Sequence, residues 1–208
     1  MIRETTDRLS VPSLEERASI VDLEKSIEAH DARMAELPAM NSIETGGSPS
    51  SNEPLRFPLT VAAWNLERCL FPEASAEHIR QTGARVALLS EMDDGMARTG
   101  QRNTTAEAAG HLGMTYAYGV EFIELGLGSE TEQEFCTDPF NEKGFHGNAL
   151  MADVPLADPF MIRLAGERLW FLRDVDQPRL GERMAIGATV ETEAGPVVMA
   201  SMAPPCLM

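Results

Sequence analysis

Cysteine is scarce in this chain and none of it is closely paired. Cys69, Cys136 and Cys206 stand far apart among 208 residues. An odd count at such spacing argues against a disulfide framework and against a structural zinc site, and leaves buried or reduced thiols. A basic cluster is missing too. Seventeen basic side chains face thirty-three acidic ones, a formal net charge of -16. Even the densest stretch, Arg163, Arg168, Arg173, Arg179 and Arg183, is interleaved with Glu167, Asp174, Asp176 and Glu182. That balance disfavours non-specific nucleic-acid binding and suits a small phosphorylated substrate bridged by a divalent cation. No apolar run approaches the ~20 residues of a membrane span. The opening Met1-Ile2-Arg3-Glu4-Thr5-Thr6-Asp7 has no apolar leader region, so a soluble, cytoplasmic protein is expected. There is no internal repeat, and the twelve methionines are scattered as core filling.

What is present is an ordinary globular composition, 43% hydrophobic and 24% charged, enough for one domain with an appendage. Three zones follow from the pattern. Residues 1–40 predict an amphipathic helical extension. Ser13 and Glu16 have capping-box spacing, and Ile20, Leu23, Ile27, Met34 and Leu37 form one stripe that Pro38 ends. The stripe is expected to pack on the main domain, with self-association through a short coiled coil as the second reading. His30 falls on it as a packing residue. Residues 41–56, with Gly46-Gly47-Ser48-Pro49, have the composition of a flexible linker.

From residue 57 to 208 strands alternate with helices, which predicts an α/β or α+β layered sandwich. Leu59 to Leu66 reads as a strand and Ala76 to Gln81 as a helix. Val86 to Leu89 is an apolar strand buried on both faces. Thr105 to Leu112 is a helix closed by Gly113. Thr115 to Leu125 reads as a strand, Gly126 to Phe145 as a polar loop, and His146 to Ala152 as a strand. Arg183 to Thr192 and Val197 to Met202 form a hairpin.

Two strand ends carry the chemistry. The first ends in Trp64-Asn65-Leu66-Glu67; the second stops abruptly at Ser90-Glu91-Met92-Asp93. Ligands sit beyond the carboxyl ends of strands in such arrangements. Asn65 and Glu91 on parallel neighbours would offer an amide oxygen and a carboxylate, hard donors that suit Mg²⁺ or Mn²⁺. Magnesium commonly takes only one or two protein carboxylates and keeps its remaining positions for water and phosphate oxygen. His146 and Asn148, at the start of a later strand, are candidates for substrate contact. Glu67, Asp93 and Asp94 read as solvated rim charges. Arg98 and Arg102 read either as phosphate-gripping forks or as ordinary loop charges. Glu121 and Glu124 lie on opposite faces of their strand, so at most one can point at the site. His78 and His111 read as surface or helix-end residues.

Ala63-Trp64-Asn65 followed by Leu88-Leu89-Ser90-Glu91-Met92-Asp93 resembles the opening motifs of the endonuclease/exonuclease/phosphatase superfamily. Ser90 stands where that family more usually has Gln. Gly147-Asn148-Ala149-Leu150-Met151 and the final hairpin are similar to later strands of the family, so the resemblance runs over about residues 58–202. It implies a deoxyribonuclease I-like β-sandwich, with Asn65 and Glu91 as catalytic residues at a Mg²⁺ or Mn²⁺ site and hydrolysis of phosphomono- or phosphodiesters. The family continues into His-Leu, Asp-x-Asn and Asp-His motifs, whereas this chain reads Ala203-Pro204-Pro205-Cys206-Leu207-Met208. The expectation is therefore a truncated domain with an incomplete second half, weak or absent activity, and a bared apolar sheet face open to self-association or a partner. The alternative is a non-catalytic remnant acting as an interaction module through its N-terminal helix.

Overall fold

The computed structural model describes residues 1–173 and 177–203. Asp174, Asp176, Cys206 and the rest of residues 204–208 lie outside them. In chain order the elements are β1 (Thr5–Thr6), α1 (Leu14–Val21), α2 (Ile27–Glu36), β2 (Ile43–Gly47), β3 (Val61–Arg68), α3 (Pro72–Gln81), β4 (Val86–Asp94), α4 (Thr104–Leu112), β5 (Thr115–Glu124), α5 (Glu130–Gln133), β6 (Phe145–Ala152), β7 (Ala157–Arg163), α6 (Leu169–Leu172), β8 (Arg179–Gly181), β9 (Met184–Thr192) and β10 (Gly195–Met202).

Two sheets form the framework. The larger has the order β1-β2-β5-β6-β4-β3, with β8 added on β5. The smaller has the order β10-β9-β7. They share an apolar layer: Ile43 and Ala117 of the large sheet meet Met161, Met184 and Ile186 of the small one, and Val86 and Ala152 meet Val190 and Val197. Ser201 Oγ also donates to the Leu89 carbonyl across the two sheets, at 2.9 Å. On the other face of the large sheet, Ile79 of α3 and Ala108 and Ala109 of α4 close over Ala87, Leu89 and Met92. The result is a mixed α/β layered sandwich. Val198 and Met202 on β10 are 64% and 48% exposed and Val61 on β3 is 38% exposed, so apolar side chains remain uncovered where these strands lie.

The capping box forms as the spacing predicts: Ser13 Oγ accepts the Glu16 amide N–H at 3.1 Å, and Glu16 Oε2 accepts that of Ser13 at 2.8 Å. The single helix does not. Ser26 caps a new helix by accepting the Ala29 N–H at 3.2 Å, so the chain breaks between α1 and α2. Ile27 then falls out of the stripe and is 46% exposed. His30 packs, as expected, against the Phe171 ring and the Gly181 carbonyl.

The expected linker is partly structural. Residues 43–47 form β2, paired with β5 on one side and β1 on the other. The Gly46-Gly47 pair serves packing rather than flexibility: a Cβ at Gly46 would lie 2.7 Å from the Tyr116 hydroxyl, and Gly47 has φ +74°. The fold also adds β7, β8, α5 and α6 to the expected elements, the last two being single turns.

Candidate active site

β3 and β4 run parallel and pair Asn65 with Ser90. The expected end of β4 at Leu89 is a bulge rather than a terminus. On the neighbouring β6 the register passes from Leu89↔Ala149 to Met92↔Gly147, so Ser90 and Glu91 together oppose Asn148. Such an extra residue re-aims side chains. Glu91 has φ +61°, and Glu67 and Arg68 at the end of β3 and Cys69 just after it have φ of +46°, +82° and +53°. Non-glycine residues seldom hold this conformation, which costs on the order of 1–3 kcal/mol each. Gly147 makes the close strand approach possible, since a Cβ there would sit 1.9 Å from the Gly119 carbonyl oxygen.

These distortions bring a set of side chains together. Asn65 Nδ2 donates to Glu91 Oε1 at 2.9 Å, and Asn65 Oδ1 accepts the Glu67 amide N–H at 2.9 Å. Arg68 Nη1 donates to Glu91 Oε2. Arg68 Nε donates to Glu132 Oε1 at 2.6 Å. Glu91 is ionised at neutral pH: burial pushes its pKa up, but the Asn65 hydrogen bond and the charge of Arg68 outweigh that and hold it below the usual range.

Asn148 and His146 sit beneath this rim. Both are buried, so in this structure neither presents a free surface to substrate. Asn148 Oδ1 accepts the Glu91 amide N–H at 3.4 Å and so supports the bulge. His146 Nδ1 lies 2.7 Å from Asp93 Oδ1, and its ring stacks on Phe122 with centroids 4.5 Å apart. Burial pushes His146 down to about 4, against the Asp93 hydrogen bond, which favours the charged ring. It is neutral at pH 7, with Nδ1–H donating to Asp93.

Several expectations about charge are corrected. Asp93 and Asp94 are not rim residues; they are 0% and 1% exposed. Buried carboxylates need counter-charges, and both have them. Arg98 donates to both oxygens of Asp93, at 2.7 and 2.9 Å. Lys143 Nζ reaches Asp94 at 2.7 Å. Arg98 is therefore neither a loop charge nor solvated. Glu121 and Glu124 are both buried, opposite Arg183 and Arg179. Glu67 is exposed, as expected. The residues that sequence reasoning missed are Arg68 and Glu132. Neither spacing nor apolar pattern marks them, because both depend on the left-handed turn after β3 and on the fold of the 126–145 loop.

Does this donor set suit a divalent cation? Glu91 is ionised, with its side chain 23% exposed. The Arg68 guanidinium acts as a stand-in cation on one of its oxygens, so the position already favours positive charge. Among the described residues, no three His, Cys, Asp or Glu side chains are grouped to hold a metal. A cation bound here would have one carboxylate, Glu91, from this group, and would need water or substrate oxygen to complete its shell. Arg68 would have to yield its place.

No protein-family model and no curated protein matches the chain. Solved structures do. The crystal structure of an endonuclease/exonuclease/phosphatase from Beutenbergia cavernae DSM 12333 superposes with a TM-score of 0.52 at 17% identity, over 70% of this chain. This chain has the endonuclease/exonuclease/phosphatase fold. It spans 38% of the length of that structure. An endonuclease/exonuclease/phosphatase family protein from Leptotrichia buccalis C-1013-b is also similar, at 12% identity and a TM-score of 0.42, over 72% of this chain and 57% of the other. No helix among the described residues is long and apolar enough to cross a membrane.

Proposed function

We propose that this chain supplies the metal-side edge of a divalent-metal-dependent phosphoester hydrolase acting on a small phosphorylated substrate. The observation that carries the reading is the Asn65–Glu91 pair, 2.9 Å apart on adjacent parallel strands. Glu91 would hold Mg²⁺ or Mn²⁺ through its carboxylate, with Asn65 fixing that carboxylate's orientation. A bound ion would polarise a phosphoryl oxygen and offset the negative charge that develops there. The chain's own residues prepare the position. Asn148 holds the bulge that aims Glu91, and the Asp93–His146 pair beneath it keeps a neutral imidazole fixed against Phe122. The strained backbone at Glu91 is sustained by these buried contacts.

A small substrate is favoured over a polymer. The net charge of -16 repels a polyanion, and hollows of about 560 and 440 Å³ flank Arg68 and Asn65. Pockets of that size accept a small molecule.

Isothermal calorimetry tests the reading. The full chain should bind Mn²⁺ with one-to-one stoichiometry, and Glu91→Gln should weaken binding at least tenfold while leaving the far-ultraviolet circular dichroism unchanged. Equal Mn²⁺ affinity in the two proteins would remove the cation site, and the alternative of a non-catalytic interaction module would then stand.

A further inference from the structure

The acidic side chain of Glu132 is bound in the way an anion is bound. Its Oε1 accepts from two guanidinium groups, Arg68 Nε at 2.6 Å and Arg98 Nη1 at 2.9 Å. Its Oε2 accepts from the Ser129 amide N–H at 2.7 Å and the Ser129 hydroxyl at 2.9 Å. Four donors thus converge on one carboxylate. The two guanidiniums reach it from different parts of the fold, β3 and the turn after β4, whereas Ser129 and Glu132 belong to one turn, α5 in the 126–145 loop, and their mutual contacts are its capping box. Arg98 is locked in place by Asp93 and is 3% exposed, so its Nη1 is pre-aimed at Glu132, with Glu124 Oε2 at 3.7 Å. The group opens on the hollow of about 560 Å³ lined by Arg68, Arg98, Ser129, Thr131 and Arg179.

Two features distinguish this from a plain surface ion pair. Exposed pairs contribute little and need no converging donors; here the Arg98 and Glu132 side chains are 1% and 15% exposed. Moreover, Arg68 spans both carboxylates, with Nη1 on Glu91 and Nε on Glu132. Whatever anion sits on the fork is therefore one guanidinium away from the candidate cation ligand. Planar guanidinium forks match phosphate oxygens as well as carboxylate oxygens.

We propose that Arg68 and Arg98 form a phosphate subsite, and that Glu132 fills it as an internal carboxylate which a substrate phosphate displaces. The inference deepens the hydrolase reading and rests on it for the identity of the substrate. The subsite would grip a phosphate group beside the Glu91 rim, and the α5 turn would swing out as that group enters. Displacement of Glu132 also accounts for the cost of entry: in the substrate-free protein its carboxylate competes with phosphate for the same donors.

Calorimetric titration of the full chain with inorganic phosphate, in chelator, tests this without involving a divalent ion. Glu132→Gln should bind phosphate at least tenfold more tightly than the parent. Adding Arg68→Gln should abolish the gain. Glu134→Gln, which removes the same charge from the next exposed acid of the loop, should change affinity no more than twofold. Equal affinity in parent and Glu132→Gln, an equal gain in Glu134→Gln, or a gain that survives in the double variant would each overturn the subsite. Should Glu132→Gln fail to fold, Glu132→Asp serves, since it retracts the carboxylate by one methylene. A severalfold gain is expected there, and none would overturn the proposal. Because divalent ions are absent, a failed subsite is distinguishable from a failed cation site, which is read from Mn²⁺ binding to Glu91→Gln.

Discussion

A carboxylate that is mostly buried must keep a counter-charge or exchange it for another. Glu91 keeps Arg68, which together with the Asn65 hydrogen bond holds the carboxylate ionised, and any cation would have to compete with that arginine. His146 solves the opposite problem by remaining neutral. Its folded pKa, about 4, lies below the unfolded value near 6.5, so the unfolded chain binds the extra proton as pH falls between them. The contribution is full above pH 6.5 and is lost toward pH 4. Between pH 7 and pH 5 the parent should lose roughly 2 kcal/mol through this one group. His146→Gln should be less stable at pH 7, through loss of the Phe122 stack, yet lose less on acidification by about that amount. Urea titrations at the two pH values measure it. Asp94, raised to about 6 by burial against the pull of Lys143, acts in the opposite sense, since its destabilisation is relieved as pH falls from 6 toward 3.8. It is present in both proteins, so the comparison isolates His146.

At the scale of elements, the site depends on how strands and helices are tied. Asn103 does two jobs: its Oδ1 caps α4 by accepting the Ala106 N–H at 2.9 Å, and its Nδ2 donates to Glu44 Oε1 of β2 at 2.7 Å. Glu44 also receives the Tyr116 hydroxyl and the Leu9 amide, so one buried carboxylate joins β2, β5, α4 and the N-terminal segment. Asn103→Ala should cost about 2 kcal/mol, from the lost cap and a weakened buried network. Equilibrium urea unfolding checks this, and a loss under 0.5 kcal/mol would show that the network contributes little. The same element explains what the sequence could and could not tell. The meeting of Asn65 and Glu91 on parallel neighbours was legible because each interrupts an apolar strand, and α4 because Gly113 closes it with φ +67°. β2 was not, since its two glycines resemble a linker until Tyr116 is seen packed on Gly46. Arg98 was not, since a buried arginine in a polar stretch is recognisable only through Asp93. The α1–α2 break was hidden because apolar spacing continues across it while Ser26 restarts the helix.

For the molecule as a whole, fold and charge are separate observations: the first is shared with solved endonuclease/exonuclease/phosphatase structures, the second is a formal net charge of -16. β3 and β4 bring Asn65 and Glu91 together on parallel neighbours, and a net charge of -16 disfavours polyanions. On the proposed reading, Arg68 and Arg98 would offset that charge where a phosphate approaches. The central claim is that Glu91 holds a divalent cation, and diffraction tests it most directly. Crystals of the full chain soaked in Mn²⁺ should show an anomalous peak in coordination distance of the Glu91 carboxylate, with Arg68 turned away from it. A map in which Arg68 still pairs with Glu91 and no peak touches that carboxylate at saturating Mn²⁺ would contradict the account.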